Sequence, residues 1–329
     1  MKFFLGIDIG GTKCAVSAKE KDDAAILSKI TIATESGRGW HAVVDDIIST
    51  AEKVLKNINA SFADILAAGI SCGGPLDSKN GIIMSPPNLP GWDNVPVCEI
   101  IKSHFDFPVF LQNDANACAL AEHRFGAGRG CDNMIFLTFG TGMGAGLVLN
   151  GRLYSGTNDL AGEVGHIRLS ESGPAGYGKE GSFEGFCSGG GIERYAKQKA
   201  KEYIGSGKTS SLFLNENDIE NITAKSLAGA AENGDNFSIE IYKNCGAKLG
   251  EGLAVLVDIL NPQCIVIGSI YTRSENLLRS SMLETLGKEA LPQALSVCRI
   301  VPAELGDNIG DYAAIGTAAD GYERMSSDE

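Results

Sequence analysis

The 329-residue chain carries 28 Lys and Arg against 41 Asp and Glu, for a formal net charge of −13, and 43% of it is hydrophobic. That length allows two domains with cores of their own, and the acidic balance, with no basic block anywhere, argues against a nucleic-acid surface. No apolar run approaches a membrane span, and the N-terminus enters a strand with no signal-peptide core, so no membrane partner is expected. Nine cysteines, at 14, 72, 98, 118, 131, 187, 245, 264 and 298, are scattered singly. Such an odd, dispersed set reads as reduced core thiols rather than a disulfide frame, with no C-x-x-C pair for zinc. A cytoplasmic protein is expected.

Residues 3–9 read as a strand, which Gly10-Gly11-Thr12-Lys13 turns into a second strand over 14–18. Asp8 lies in the otherwise apolar first strand, where a lone carboxylate is costly to bury unless paired or near a metal. Lys13 follows glycines, but the Walker A spacing is absent. Residues 39–58 form an amphipathic helix with Val43, Val44, Ile47, Ile48, Ala51, Val54, Leu55 and Ile58 on one face. A strand over 65–71 ends in Cys72-Gly73-Gly74-Pro75, and Asn80-Gly81 marks a hairpin. The proline-rich segment 85–92 cannot be helix or central strand. With Asn88 and Trp92 it suits a small polar ligand or, equally, a solvent-facing connector. Residues 108–112 read as a strand, and Asn113-Asp114 precede an alanine-rich helix over 115–125. Asp114 fits a helix N-cap, while its place at a strand's carboxyl end also fits catalysis.

The chain is organised around residues 134–169. An apolar strand over 134–137 meets a turn with glycine at 140, 142, 144 and 146. A second strand over 147–149 follows, then the Asn150-Gly151 hairpin into 152–154. Bare backbone at alternate positions suits close approach to a polyanion. The G-x-G-x-x-A match at Gly140, Gly142 and Ala145 fails as a dinucleotide fingerprint, because a strand and not a helix follows. The same strand–glycine turn–strand unit occurs at 3–18, so two related halves are expected. Glu163 and His166 then arrive together between glycines. Further on, 190–203 reads as a lysine-rich helix with a solvated face, and 235–260 as a long helix burying Ile241, Cys245, Leu249, Leu253, Leu256 and Leu260. Residues 264–268 read as a strand and turn, 311–325 as a helix, and 326–329 as a frayed tail.

Four pieces stand in order: Asp8-Ile-Gly-Gly-Thr-Lys13, Asn113-Asp114-Ala-Asn116, Phe139-Gly-Thr-Gly-Met-Gly-Ala-Gly146 and Gly162-Glu-Val-Gly-His166. Together they resemble the ROK family (repressors, open reading frames and sugar kinases). The resemblance extends to Gly73-Gly74, Asn88-Leu-Pro-Gly-Trp92 and Leu305-Gly-Asp-Asn308. It implies an α/β actin-like ATPase (ribonuclease H-like) fold with two domains around a central cleft. The domains expected are 1–115 with 310–329, and 116–309.

The resemblance also implies ATP-dependent phosphorylation of a hexose or N-acetylhexosamine hydroxyl, with Asp114 as general base. Gly74, Asn88, Asn113, Glu163, His166 and Glu184 match positions that bind the sugar. Gly10, Gly11, Thr12 and Lys13 match one phosphate loop, and Thr138, Gly140, Thr141 and Gly142 the other. Asp8 matches the magnesium-side carboxylate, acting through water, which gives it a reason to sit in a buried strand. Gly268 matches the adenosine side, although Gly268-Ser269-Ile270 replaces a richer glycine run. ATP and Mg2+ are the cofactors implied, and a homodimer the assembly.

After the histidine the family usually carries C-x-C-G-x-x-G-C-x-E, whose cysteines bind zinc. Here the cysteine positions hold Ala175, Tyr177 and Ser182, while Gly178, Gly181 and Glu184 remain. Cys187 falls at no ligand position. With only His166 left, no structural zinc is expected, and Tyr177 and Phe183 are expected to hold the loop by packing. A ROK transcriptional regulator would carry a basic N-terminal DNA-binding module, for which a first strand at residue 3 leaves no room. A non-catalytic sugar-binding relative is the other alternative, which retention of Asp114 disfavours.

Overall fold

The computed structural model describes residues 1–327; of the expected frayed tail, Asp328 and Glu329 lie outside the described residues. The chain runs β1 (Phe3–Ile9), β2 (Lys13–Glu20), β3 (Ile26–Ala33), α1 (Trp40–Asn57), β4 (Ile65–Cys72), the short pair β5 (Leu76–Asp77) and β6 (Ile82–Ile83), α2 (Val97–Phe105), β7 (Val109–Asn113) and α3 (Asp114–Phe125). Next come β8 (Met134–Phe139), β9 (Met143–Leu149), β10 (Arg152–Tyr154), the short pair β11 (Ala175–Gly176) and β12 (Lys179–Glu180), α4 (Phe183–Phe186), α5 (Gly189–Gly205) and α6 (Ala224–Glu232). The last part comprises α7 (Asn236–Leu260), β13 (Cys264–Ile267), α8 (Ile270–Glu289), α9 (Pro292–Leu295), β14 (Arg299–Pro302) and α10 (Ile309–Ser327). Ser326 and Ser327 therefore continue the last helix rather than fraying from it. Among the described residues no helix is long and apolar enough to cross a membrane.

Two compact units result: Met1–Cys131 with Gly146–Ala161 and Glu304–Glu329, and Asp132–Ala145 with Gly162–Ala303. The first is built on a sheet of order β3-β2-β1-β4-β7, in which β1, β4 and β7 are parallel and β2 and β3 antiparallel. β1 is covered on both faces, hence a run that is apolar except for Asp8; β3, at the edge, alternates half-buried and exposed residues. α1 buries Val43, Val44, Ile47, Val54 and Leu55 against the sheet, each contributing roughly 1.5–3 kcal/mol. On the other side α10 lies directly on β1 and β4. A Cβ at Gly69 would collide with the backbone of Ala314 and Ala318, so glycine there sets the close approach. Glu122, fully buried in α3, accepts the N–H groups of Ala127, Glu304 and Leu305, tying the entry of α10 to the end of α3.

The second sheet has the order β10-β9-β8-β13-β14, repeating the first position for position, with β8, β13 and β14 parallel. The two-halves expectation is met in topology. β9 begins in the second unit, and its end pairs with β10 in the first through the Asn150-Gly151 turn, where both residues have positive φ. α7 crosses the second unit against α8, burying Ile241, Cys245, Leu249, Leu253 and Leu256. Leu260, placed in that stripe from sequence, is only half-buried.

Candidate active site

In the first unit, Ile9 of β1, Cys72 of β4 and Asn113 of β7 stand in one row of the parallel register. The chain therefore delivers Asp8, Gly73-Gly74 and Asn113-Asp114 together at the carboxyl ends of three strands, where open α/β sheets place ligands. The Gly10–Lys13 turn is closed by Gly10 N–H to Lys13 O at 3.1 Å. Asn88 belongs to the same group: a Cβ at Gly11 would meet its carbonyl oxygen at 2.5 Å, and one at Gly73 its Oδ1 at 3.4 Å. Trp92, which the sequence allows as a ligand contact, is instead wholly buried with Leu89 in the core. The proline-rich loop is thus anchored from beneath and presents Asn88.

Asn113, not Asp114, caps α3: its Oδ1 accepts the Asn116 N–H at 2.8 Å. Asp114 is the first helical residue, its Oδ1 accepting the adjacent Ala115 N–H. By surface area Asp114 is exposed, yet enough protein surrounds the carboxyl that desolvation dominates and its pKa is raised, against the Ala115 and Asp114 amides that pull it down. The capping residue sits one position earlier than expected, and the acid is released from that job.

Asp8 is pushed up to about 6, first by burial, then by the charges of Asp311 and Asp114, with Lys13 and Lys29 opposing. Nothing in the sequence singles out Asp311. It lies buried in the first turn of α10, its Oδ2 2.6 Å from Lys29 Nζ. An acid two residues into a helix reads as ordinary dipole complementation; only the fold brings it to Asp8.

In the second unit the glycine turn is shorter than expected. β8 runs to Phe139 and β9 begins at Met143, leaving Gly140-Thr141-Gly142 as the turn. Gly144 and Gly146 lie in β9, where Gly144 donates its N–H to Thr138 Oγ1 at 3.0 Å. The turn packs on the start of α5, where Gly189 N–H reaches Gly140 O at 2.8 Å and Ser188 Oγ caps the helix by accepting Gly191 N–H at 3.0 Å. A pocket of about 460 Å³ opens here, lined by Gly140, Thr141, Gly190, Glu193, Ser269 and Arg273 among others. The N-terminal end of α5 borders it, giving it a positive backbone field, and so does the single turn of α8 that precedes its kink at Ser274. Gly268 itself packs under Phe136, and Ser269 and Ile270 line the pocket. The Ser188-Gly189-Gly190-Gly191 helix start carries a signal, a capping residue followed by bare backbone, that the reading of a solvated helix passes over.

Glu163 and His166 flank a short turn over Val164–His166, both exposed. Glu184, in α4, turns its Oε2 to the Met143 N–H at 3.1 Å. The loop between them contains no gathering of metal ligands; among the described residues no three His, Cys, Asp or Glu side chains form such a group. Ser182, wholly buried, accepts the N–H groups of Gly176 and Gly185, each at 3.1 Å. Lys179 donates to His166 O at 2.7 Å, Arg168 to Glu180 O at 2.8 Å and Arg194 to Ala175 O at 2.8 Å. Phe183 is fully buried, as expected, but Tyr177 is 89% exposed and fills no core volume. It has a positive φ at the β11–β12 hairpin, so Phe183 alone packs as expected, and hydrogen bonds take the place of the packing expected of Tyr177.

Two sheets of one strand order, each with a glycine turn between its first two strands, make up the actin-like ATPase fold of the ROK sugar kinases. The chain belongs to the ROK family, whose model matches residues 4–319. It is 32% identical to a glucokinase of Thermotoga maritima over 94% of this chain and 95% of that one. It superposes on the ROK hexokinase from Thermus thermophilus with a TM-score of 0.81 at 29% identity, covering 99% of both chains. It also matches a ROK family glucokinase from Streptomyces griseus in complex with glucose and AMPPNP, with a TM-score of 0.73, 29% identity and coverage of 96% and 99%.

Proposed function

We propose that this chain is an ATP-dependent sugar kinase acting on a hexose or N-acetylhexosamine hydroxyl, with Asp114 as general base. The observation that carries the reading is Asp114 itself. It stands at the carboxyl end of β7, relieved of capping by Asn113, with its pKa raised by burial. A carboxylate so placed accepts the proton of a sugar hydroxyl as the oxygen attacks the terminal phosphorus and ADP leaves. Such bases contribute about 10²–10⁴-fold, while positioning and electrostatics supply the remainder. Asn113 keeps its amide nitrogen for the sugar, joined by Glu163, His166 and Glu184, with Gly74 and Asn88 closing the pocket. A ring of short donors and acceptors suits a polyol, since each buried unpaired hydroxyl costs ~1–3 kcal/mol.

The triphosphate falls to the Gly10–Lys13 turn and to residues 138–142, with the adenosine in the pocket behind Gly140, beside Gly268. Its neighbours Arg273 and Glu193 offer charged contacts. Mg2+ fits beside Asp8, where the charges of Asp114 and Asp311 add to the burial penalty and a divalent cation would relieve both. The donor set is too sparse for a protein cage, which matches an ion held largely by water and phosphate oxygens. Such an ion neutralises charge on the phosphates. A homodimer is the assembly proposed, to be read by light scattering. The function is tested by ADP release across a panel of hexoses and N-acetylhexosamines; absence of turnover with every sugar would rule it out.

A further inference from the structure

Glu184 lies where three segments of the second unit converge, and glycine makes room for it on each. A Cβ at Gly142 would stand 2.9 Å from Glu184 Oε2, one at Gly165 3.2 Å from its Cβ, and one at Gly176 2.7 Å from its Cβ. Gly142 ends the turn bordering the nucleotide pocket, Gly165 lies between Glu163 and His166, and Gly176 belongs to the loop that Ser182 ties down. A Cβ at Gly165 would also collide with Met143 O, so the 163–166 turn rests directly on the strand leaving the glycine turn. Within this crowded junction Glu184 Oε2 accepts the Met143 N–H.

We propose that Glu184 couples sugar binding to nucleotide binding, its carboxylate joining a sugar hydroxyl to the backbone of the 140–142 turn. The inference rests on the kinase reading, which supplies the sugar. One carboxylate has two oxygens and can serve both partners at once. Fixing the side chain on a hydroxyl fixes the Met143 N–H, and with it the adjacent Gly140-Thr141-Gly142 backbone. A turn ordered in advance binds phosphates without the ordering cost, so the two ligands favour one another, and reciprocally. The seat of the carboxylate is itself held from behind. Ser182 caps α4 two residues before Glu184 and pins Gly176, against which Glu184 packs.

The test is a linkage measurement on the full chain by calorimetry, with AMPPNP and Mg2+ titrated with and without saturating glucose, or whichever sugar the turnover assay selects. In the wild-type protein the sugar should tighten AMPPNP by about fivefold or more, and AMPPNP should tighten the sugar by the same factor. Glu184→Asp keeps the charge but is one methylene too short for both partners, so the factor should fall below about two. Gly142→Ala reaches the same end from the other side, by displacing Oε2. If either variant is folded by its melting curve and keeps the wild-type factor, the inference is wrong. A wild-type factor near one, with turnover intact, also overturns it while leaving the kinase reading standing. Absence of both turnover and sugar binding would remove that reading, and this inference with it.

Discussion

A side chain on Gly310 would put its Cβ 2.8 Å from Oδ2 of Asp8, so the start of α10 is pressed against the one carboxylate of β1. That contact, with Asp311 one residue on, explains why Asp8 stays protonated up to about 6 instead of the usual aspartate value of 3.8. A raised pKa in the folded state means ionised Asp8 costs stability above about pH 6, and the cost disappears below the unfolded value. Asp8→Asn should therefore stabilise the protein at about pH 7.5 by on the order of 1–3 kcal/mol while abolishing turnover. At about pH 4 the gain should vanish. Thermal melts of both proteins at the two pH values check this, and an equal or negative difference at neutral pH would refute the assignment.

Asp114→Asn should lower kcat by at least about 10²-fold with the melting temperature little changed. Were Asp114 the cap of α3, removing its charge would affect stability by ~1 kcal/mol and spare turnover. The cap is Asn113, so Asn113→Ala should carry the stability loss and Asp114→Asn the kinetic one. Retention of more than about a tenth of kcat in Asp114→Asn would exclude a general base.

The inner strands and glycine turns of both sheets were legible because buried parallel strands are largely apolar and the turns need bare backbone, whereas the edge strands β3 and β14 were not read. That the fold holds two related halves could be read from the repeated unit at 3–18 and 134–149, but the shared strand order could not. Asp311 and Lys29 could not be found, because their significance depends on α10 returning to β1, a contact across nearly the whole chain. The cap of α3 was misplaced because Asn and Asp are nearly equal capping residues and stand side by side. Burial of Trp92 and exposure of Tyr177 are likewise tertiary facts; loop aromatics carry no period that tells which way they face. The Ser188–Gly191 start had a signal, a serine before three glycines, which the lysines further along the helix obscured.

Gly190 borders the pocket proposed for the nucleotide, and a Cβ there would meet only the end of the Arg194 side chain, 2.9 Å away, and Thr141 O at 3.7 Å. Gly190→Val should fold, narrow the pocket and raise KM for ATP about tenfold, with KM for the sugar changed by less than about twofold. Gly142 cannot make this distinction, since its Cβ would also press on Glu184. Equal changes for both substrates in Gly190→Val would move the nucleotide elsewhere.

The loop over 175–184 is the place where hydrogen bonds stand at positions that resemble a zinc site. Ser182 accepts two backbone N–H groups from full burial, and three cationic side chains bind the carbonyls of His166, Ala175 and Glu180. A thiolate cluster needs four good ligands, and Ala175, Tyr177 and Ser182 supply none of comparable strength. Ser182→Ala would strip the acceptor from Gly176 and Gly185, leaving buried N–H groups that cost ~1–3 kcal/mol each. The melting temperature should fall by roughly 5 °C or more. Because Glu184 follows Ser182 on α4, KM for the sugar should rise as well, with KM for ATP moving less. Lys179→Met removes an exposed donor at the other edge of the loop and should act in the same direction but more weakly, as exposed charged contacts contribute about 1 kcal/mol or less. Protein made without a histidine tag should contain no stoichiometric zinc, and a strong chelator should leave its melting curve unmoved. One zinc per chain, or a chelator-sensitive melt, would mean that a metal and not Ser182 holds the loop. Wild-type stability in Ser182→Ala would show independently that the serine does not hold it.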